Sequence, residues 1–318
     1  MFNAEQKERF LAETDLPESK QKVYRAIFES IAKYEEEWNA DFCTLDTDKT
    51  QIVLDNTAGF RKRSFIVTLS MFRKYVSWCD QNMVSDVSQS IFEIEDSGLD
   101  KLKNRMVANP MHLQRYLDAL CEPEEMKTIS NVYRCFYWLA YAGVPDDIAL
   151  KLDTSDVDFV KRVVRYDFKE YPIYEQAVPA FENCINLSAF VRNNPNYNSD
   201  TKVMIERGAG SNLLRGSNET TALQTIKVEF SKMSKRAINS GKTTMKLSYN
   251  RVMLSGMYFR MYERERAGYQ VSFKGLALEK LMRKNPDKGA NDFSLRQINL
   301  IVSNYQIDYR RWKEAFAV

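Results

Sequence analysis

AGVPDDIALKLDTSDVDF, residues 142–159, stands where the chain changes from helical to strand-like patterning. Just upstream, Ile129, Val132, Phe136, Leu139 and Ala140 recur at helical spacing. Gly143 is placed to end that helix, since glycine takes the left-handed conformation of a helix C-terminus without steric cost. Pro145 suits the first turn of a short helix to follow, and Asp146 and Asp147 are favourable at its positive end. Downstream, DVDFVKRVVRYDFKEYPIY (156–174) sets Val, Phe and Tyr in short runs between charged residues. That pattern predicts a small antiparallel sheet, the one convincing sheet in the chain.

Outward toward the N-terminus, Tyr24, Ile27, Ile31, Tyr34 and Trp38 mark an amphipathic helix over 18–38. NADFCTLDTDKT (39–50) reads as acidic and irregular, and Phe65, Leu69, Phe72, Val76 and Cys79 then form the strongest stripe in this half. The first turn of that helix carries Arg61, Lys62 and Arg63, unfavourable beside a positive helix end unless an anion such as a phosphate binds there. SDVSQSIFEIEDSGLDKLKNRMVANP (85–110) is polar and ends in proline, which places a domain boundary near 97–108.

Outward toward the C-terminus, RGAGSNLLRGSN (207–218) reads as a flexible loop and lacks the GxxxxGK[ST] pattern of a phosphate cradle. Leu223, Ile226, Phe230, Met233 and Ala237 give a helix whose other faces carry Lys227, Lys232, Lys235 and Arg236. KLSYNRVML (246–254) opens another helix, in which Arg251, Leu254, Tyr258 and Met261 share a face. An arginine extending an apolar stripe wants an anion. Ser248 is placed to cap this helix through its hydroxyl, with Leu247 and Val252 set for a hydrophobic staple.

The 318 residues suggest two domains, and 44% hydrophobic with 28% charged residues is a globular composition. No run approaches the ~18 apolar residues of a membrane span, and MFNAEQKERF lacks the apolar region of a signal peptide, so the cytoplasm is expected. Five scattered cysteines without CxxC spacing argue against a disulfide framework or zinc site, and a single histidine, His112, allows no two-histidine metal site. No metal or cofactor is expected. Residues 1–100 carry 12 basic and 19 acidic side chains, whereas 202–318 carry 22 and 10. A basic C-terminal third fits either a polyanion such as nucleic acid or an ordinary solvated surface.

Taken together, the order of a helical N-terminal module, a linker, helices, a small sheet, basic helices and a late tyrosine resembles the tyrosine recombinases (phage integrase family). Residues 142–159 resemble, without a gap, the family segment TGLR-x-x-E-x-x-x-L-x-x-x-D-I-D. Gly143, Leu152, Asp156 and Asp158 fall on its glycine, leucine and two aspartates. SYNR resembles the H-x-x-R segment, with Ser248 at the histidine and Arg251 at the arginine. Pro145, however, stands at the first catalytic arginine and Ile148 at the supporting glutamate. The strand lysine falls on Lys169 or Lys161, and the nucleophile on Tyr305 or Tyr309 in NYQIDYRRWKEAF, which also read as packing residues beside Trp312 and Phe316.

The resemblance implies a mainly α fold in two domains, a helical SAM-like core-binding domain over 1–100 and a degenerate catalytic-like domain over 101–318. Proline can neither donate a hydrogen bond nor carry charge, so the expectation is a double-stranded DNA-binding protein that does not cleave. The chain in this respect resembles the recombinase-like master repressors of SPβ-type temperate phages. That resemblance implies transcriptional repression that maintains lysogeny in a bacterial host, on the nucleoid, with a protein regulator or self-association as possible partners. Arg61, Lys62, Arg63, Lys232, Lys235, Arg236, Lys242, Lys246 and Arg251 are the expected DNA contacts. Two rivals stay open: an active recombinase in which another arginine, such as Arg134, replaces the lost one, and an interaction scaffold without DNA binding.

Overall fold

Phe65, Leu69, Phe72, Val76 and Cys79 lie buried on one face of a single helix, as their spacing predicts. The computed structural model describes residues 1–57, 62–94, 99–120, 129–193, 202–218 and 223–318. The chain divides into two units: Met1–Leu102 with Ser303–Ala315, and Lys103–Val302 with Phe316–Val318. The sequence reading keeps 303–315 with the C-terminal domain, whereas this stretch groups with the N-terminal unit. Among the described residues no helix is long and apolar enough to cross a membrane, and no three His, Cys, Asp or Glu side chains could together hold a metal ion.

The first unit is helical throughout its described residues: α1 (Ala4–Glu13), α2 (Glu18–Trp38), α3 (Thr47–Thr57), α4 (Lys62–Gln81) and α5 (Ser90–Glu93), with α6 (Leu99–Lys103) at the division between units. The stretch 39–50, expected to be irregular, holds a 3-10 turn at Phe42–Thr44 and the start of α3. Phe42 stacks on Phe72 with ring centroids 3.9 Å apart. The buried face of α2 runs through Tyr24, Phe28, Ile31, Ala32 and Glu35, so it is rotated from the predicted stripe, and Ile27, Tyr34 and Trp38 are only half-buried. Glu35 tolerates burial because Lys7, equally buried, donates to both its carboxylate oxygens at 2.5 and 2.6 Å. The Phe42 backbone N–H adds a third bond at 2.9 Å.

The second unit is built around α8 (Ser130–Ala142), following α7 (Pro110–Leu120); every α8 residue except Arg134 is buried. Gly143 ends α8 with φ +99°, and its N–H donates to Ala140 O while Val144 N–H donates to Leu139 O, so the predicted cap forms. The short α9 (Asp146–Ala149) follows, then β1 (Val157–Asp158), β2 (Val163–Tyr166) and β3 (Lys169–Pro172), an antiparallel sheet in which Val164 pairs with Val157 and Tyr171. Asp156, just before this sheet, and Asp158, in β1, organise its entry. Asp156 accepts the Asp153 N–H at 2.8 Å; Asp158 accepts the Lys161 N–H at 2.8 Å and Arg165 Nη2 at 2.9 Å.

After α10 (Val178–Asn186) comes a second antiparallel pair that the sequence reading does not include, β4 (Ala189–Asn193) with β5 (Lys202–Glu206). The fold is therefore mainly helical with two small antiparallel sheets. The loop 207–218 is also not free, because Leu213 and Leu214 are fully buried and Arg207 holds it from inside. Arg207 donates to Leu213 O at 2.7 Å, Arg215 O at 2.9 Å and Leu187 O at 3.3 Å, and also to Cys184 O. These carbonyls, two of them at the C-terminal end of α10, replace a carboxylate as partners for its charge. Last come α11 (Leu223–Asn239), α12 (Tyr249–Arg266), α13 (Lys274–Lys284) and α14 (Leu295–Phe316). α12 crosses α8 closely: a Cβ on Gly256 would stand 1.9 Å from Tyr141 O. Arg260, one turn on, donates to the same oxygen at 2.7 Å.

Candidate functional site

Segments 142–152 and 246–254, more than 90 residues apart in sequence, meet in the second unit. The buried Tyr249 hydroxyl donates to Val144 O at 2.8 Å, which fixes the start of α12 against the residue before Pro145. Burial pushes the Tyr249 pKa up, so the phenol keeps its proton and remains a donor. Pro145 is buried with φ −62° and ψ +148°, one residue ahead of α9 instead of in its first turn. Ile148 packs against the core. Neither residue brings a charge or a donor to the site.

Ser248 occupies the N-cap of α12, as predicted, but its hydroxyl makes no capping bond; its carbonyl accepts the N–H groups of Arg251 and Val252 instead. The flanking Leu247 and Val252 are both buried in the core that the predicted staple would join. The face of α12 that enters the core carries Tyr249, Val252, Ser255, Gly256 and Tyr258. Arg251, Leu254 and Met261 are half-buried at its margin, so Arg251 lies beside the apolar stripe instead of inside it.

Around Pro145 the cations meet carboxylates of the protein itself. Lys227 on α11 reaches Asp146 at 2.9 Å, Arg283 on α13 reaches Asp147 at 3.0 Å, and Lys169 on β3 reaches Glu279 of α13 at 3.2 Å. Lys161, the other position for the family lysine, lies exposed in the β1–β2 turn. Arg134 is bonded to Asp118 of α7 at 2.6 Å. His112 accepts the Ala108 N–H through Nδ1 at 3.3 Å and meets the Phe316 ring edge-on, with burial lowering its pKa, as befits a packing residue. Tyr305 and Tyr309 fall in the part of α14 that belongs to the first unit. Tyr309 is buried and stacked on Trp312 at 6.2 Å; Tyr305 is half-buried.

The basic side of the second unit is an exposed face of α11 carrying Lys232, Lys235 and Arg236, opposite Ile226, Phe230, Met233 and Ala237. Lys232 pairs with Glu229 at 2.7 Å, an exposed contact of small energetic weight. Lys242 and Lys246 follow, exposed, on the loop to α12. That loop is pinned where Lys246 N–H donates to Asn104 O and the Thr244 hydroxyl donates to Asn104 Oδ1, each at 2.9 Å.

Residues 1–81 match the family model described as MrpR, N-terminal core-binding domain. No curated protein matches the chain. Among solved structures, that of XerA recombinase is similar at 14% identity and a TM-score of 0.37, covering 99% of this chain and 97% of that one. Arg61, Lys62 and Arg63 lie inside the stretch matched by the core-binding model. Arg61 falls outside the described residues, as do the side chains of Lys62 and Arg63, although α4 does begin at Lys62.

Tyr249, Asp146, Asp147 and Arg283 organise this site, yet only the two aspartates draw attention in the sequence, and there as favourable charges at a helix start. SYNR does contain the tyrosine. Its partner, Val144, is invisible in the sequence because any residue type can supply a carbonyl.

Proposed function

We propose that the chain is a sequence-specific double-stranded DNA-binding protein, built on a recombinase-like fold without recombinase activity, that acts as a phage transcriptional repressor maintaining lysogeny. The observation that carries this reading is the Tyr249 to Val144 bond. It holds the start of α12, two residues before Arg251, against the residue before Pro145, and Pro145 supplies no guanidinium where the resembled family has its first. In acyl and phosphoryl transfer, removal of a single donor to the developing charge costs ~10²- to 10³-fold in rate. DNA affinity survives such losses, because it is spread over many phosphate contacts and counterion release. The core-binding model over residues 1–81 supports the DNA-binding part of the reading, and two units, one helical and one mixed, suit a recombinase-like fold. The face of α11 with Lys235 and Arg236, the loop with Lys242 and Lys246, and Arg251 are the contacts assigned to the second unit. The protein then works in the bacterial cytoplasm on the nucleoid, alone or with a protein regulator.

The experiment has two arms. In a salt titration on duplex DNA, log Kd is expected to rise with log salt concentration by about 0.9 for each phosphate contacted. Absence of binding at low salt would favour a scaffold role. On a nicked suicide substrate carrying the bound site, no covalent adduct is expected. An adduct that disappears in Tyr305→Phe or Tyr309→Phe would instead establish an active recombinase with a rearranged site.

A further inference from the structure

We infer that Asp146 and Asp147 are built-in phosphate mimics, holding Lys227 and Arg283 in internal ion pairs and so masking two phosphate contacts beside Pro145. This rests on the DNA-binding reading. Lysine and arginine bind a carboxylate and a phosphate oxygen through the same donors, so one can substitute for the other. Two consecutive aspartates engage cations from two separate elements, Lys227 of α11 at 2.9 Å and Arg283 of α13 at 3.0 Å. A third pair, Lys169 with Glu279, links β3 to the same α13 at 3.2 Å. Glu279 and Arg283 stand four residues apart, about one turn, on α13, so the third pair adjoins the second.

Both pairs sit where solvent can reach them, with side-chain exposures of 39% and 23% for Lys227 and Asp146, and 45% and 61% for Arg283 and Asp147. Exposed pairs are weak, and duplex DNA presents a charge about every 1.7 Å along its axis. DNA can therefore compete for these cations only at a cost that the aspartates set. The masked subsite keeps the phosphate affinity of the second unit low, which leaves base contacts elsewhere a larger share in choosing where the protein stays.

The test is binding of a labelled random-sequence duplex by the full chain across a salt series, with thermal unfolding recorded in parallel. D146N/D147N is expected to bind several-fold tighter at low salt, with a log-log slope steeper by about 0.9 for each released cation. Adding Lys227→Met and Arg283→Met to it should return both quantities to wild type. The single Asp147→Asn, at the more exposed position, should show one contact's worth and serves if the double variant unfolds. A variant with unchanged slope and affinity, or with weaker binding, overturns the inference while wild-type binding keeps the DNA reading intact. If neither wild type nor variant binds, both fall together.

Discussion

Glu35 is an acid placed where acids rarely sit. Its side chain is fully buried, and desolvation raises its pKa to about 7 even against the attraction of Lys7. An ordinary glutamate titrates near 4.3. Between about pH 4.3 and 7 the folded chain therefore holds a proton that the unfolded chain has released. The stabilisation is complete below the unfolded value and is lost as pH rises through about 7. Urea unfolding of the first unit should have a lower midpoint at pH 8 than at pH 5.5, and Glu35→Gln should flatten the difference. Parallel wild-type and Glu35→Gln profiles would mean that Lys7 keeps the carboxylate ionised throughout. Periodicity alone does not reveal this residue: the expected stripe on α2 uses Ile27, Tyr34 and Trp38, and the true face turns toward Glu35 because Lys7 of α1 waits there.

At the scale of elements, the crossing of α8 and α12 depends on a missing side chain. A methyl on Gly256 would meet backbone, with Tyr141 O at 1.9 Å and the Tyr141 carbonyl carbon at 2.8 Å, and backbone in a buried helix yields poorly. Gly256→Ala should destabilise the protein by about 1 to 3 kcal/mol from overpacking, although alanine is the better helix former by about 1 kcal/mol in an exposed position. Thermal unfolding decides, and a gain in stability would show the crossing to be looser. α4, α8 and α11 were legible in the sequence because each buries a long stripe at helical spacing, and β1 to β3 because short runs of Val, Phe and Tyr interrupt that spacing. The pair β4 and β5 was not legible, because AFVRN and KVMIE each hold a single three-residue apolar run, which fits helix or strand alike. The burial of 207–218 was not legible either, because it depends on Arg207 finding carbonyls at 184 and 187, and carbonyls carry no sequence signal. At the candidate site, the position of Ser248 at the start of α12 could be read from the sequence, whereas the ion pairs of Asp146 and Asp147 join residues up to 136 positions apart.

For the whole molecule, membership of the two units does not follow chain order. Trp312, with no exposed surface, and Tyr309 belong to the first unit though they come some two hundred residues after its other helices. Trp312→Ala should cost about 3 to 5 kcal/mol, the usual range for losing a buried tryptophan. Hydrogen exchange should then show the loss in amides of α1 to α4 more than in those of α8. Equal loss in both units, or loss confined to α8, would contradict this assignment. Composition puts a boundary near 97–108, where polar residues and a proline gather, and the units divide after Leu102. The grouping of 303–315 with the first unit could not be read, because an apolar stripe on a helix does not declare which core it enters.

That grouping has a consequence for the time course of synthesis. At ~5 to 20 residues per second, the segment after Leu102 takes about 10 to 40 s to reach Trp312. Throughout that interval the N-terminal helices are on hand but the stretch 303–315 that groups with them is not yet made. Completion of the first part of the chain is thus set by the arrival of the last.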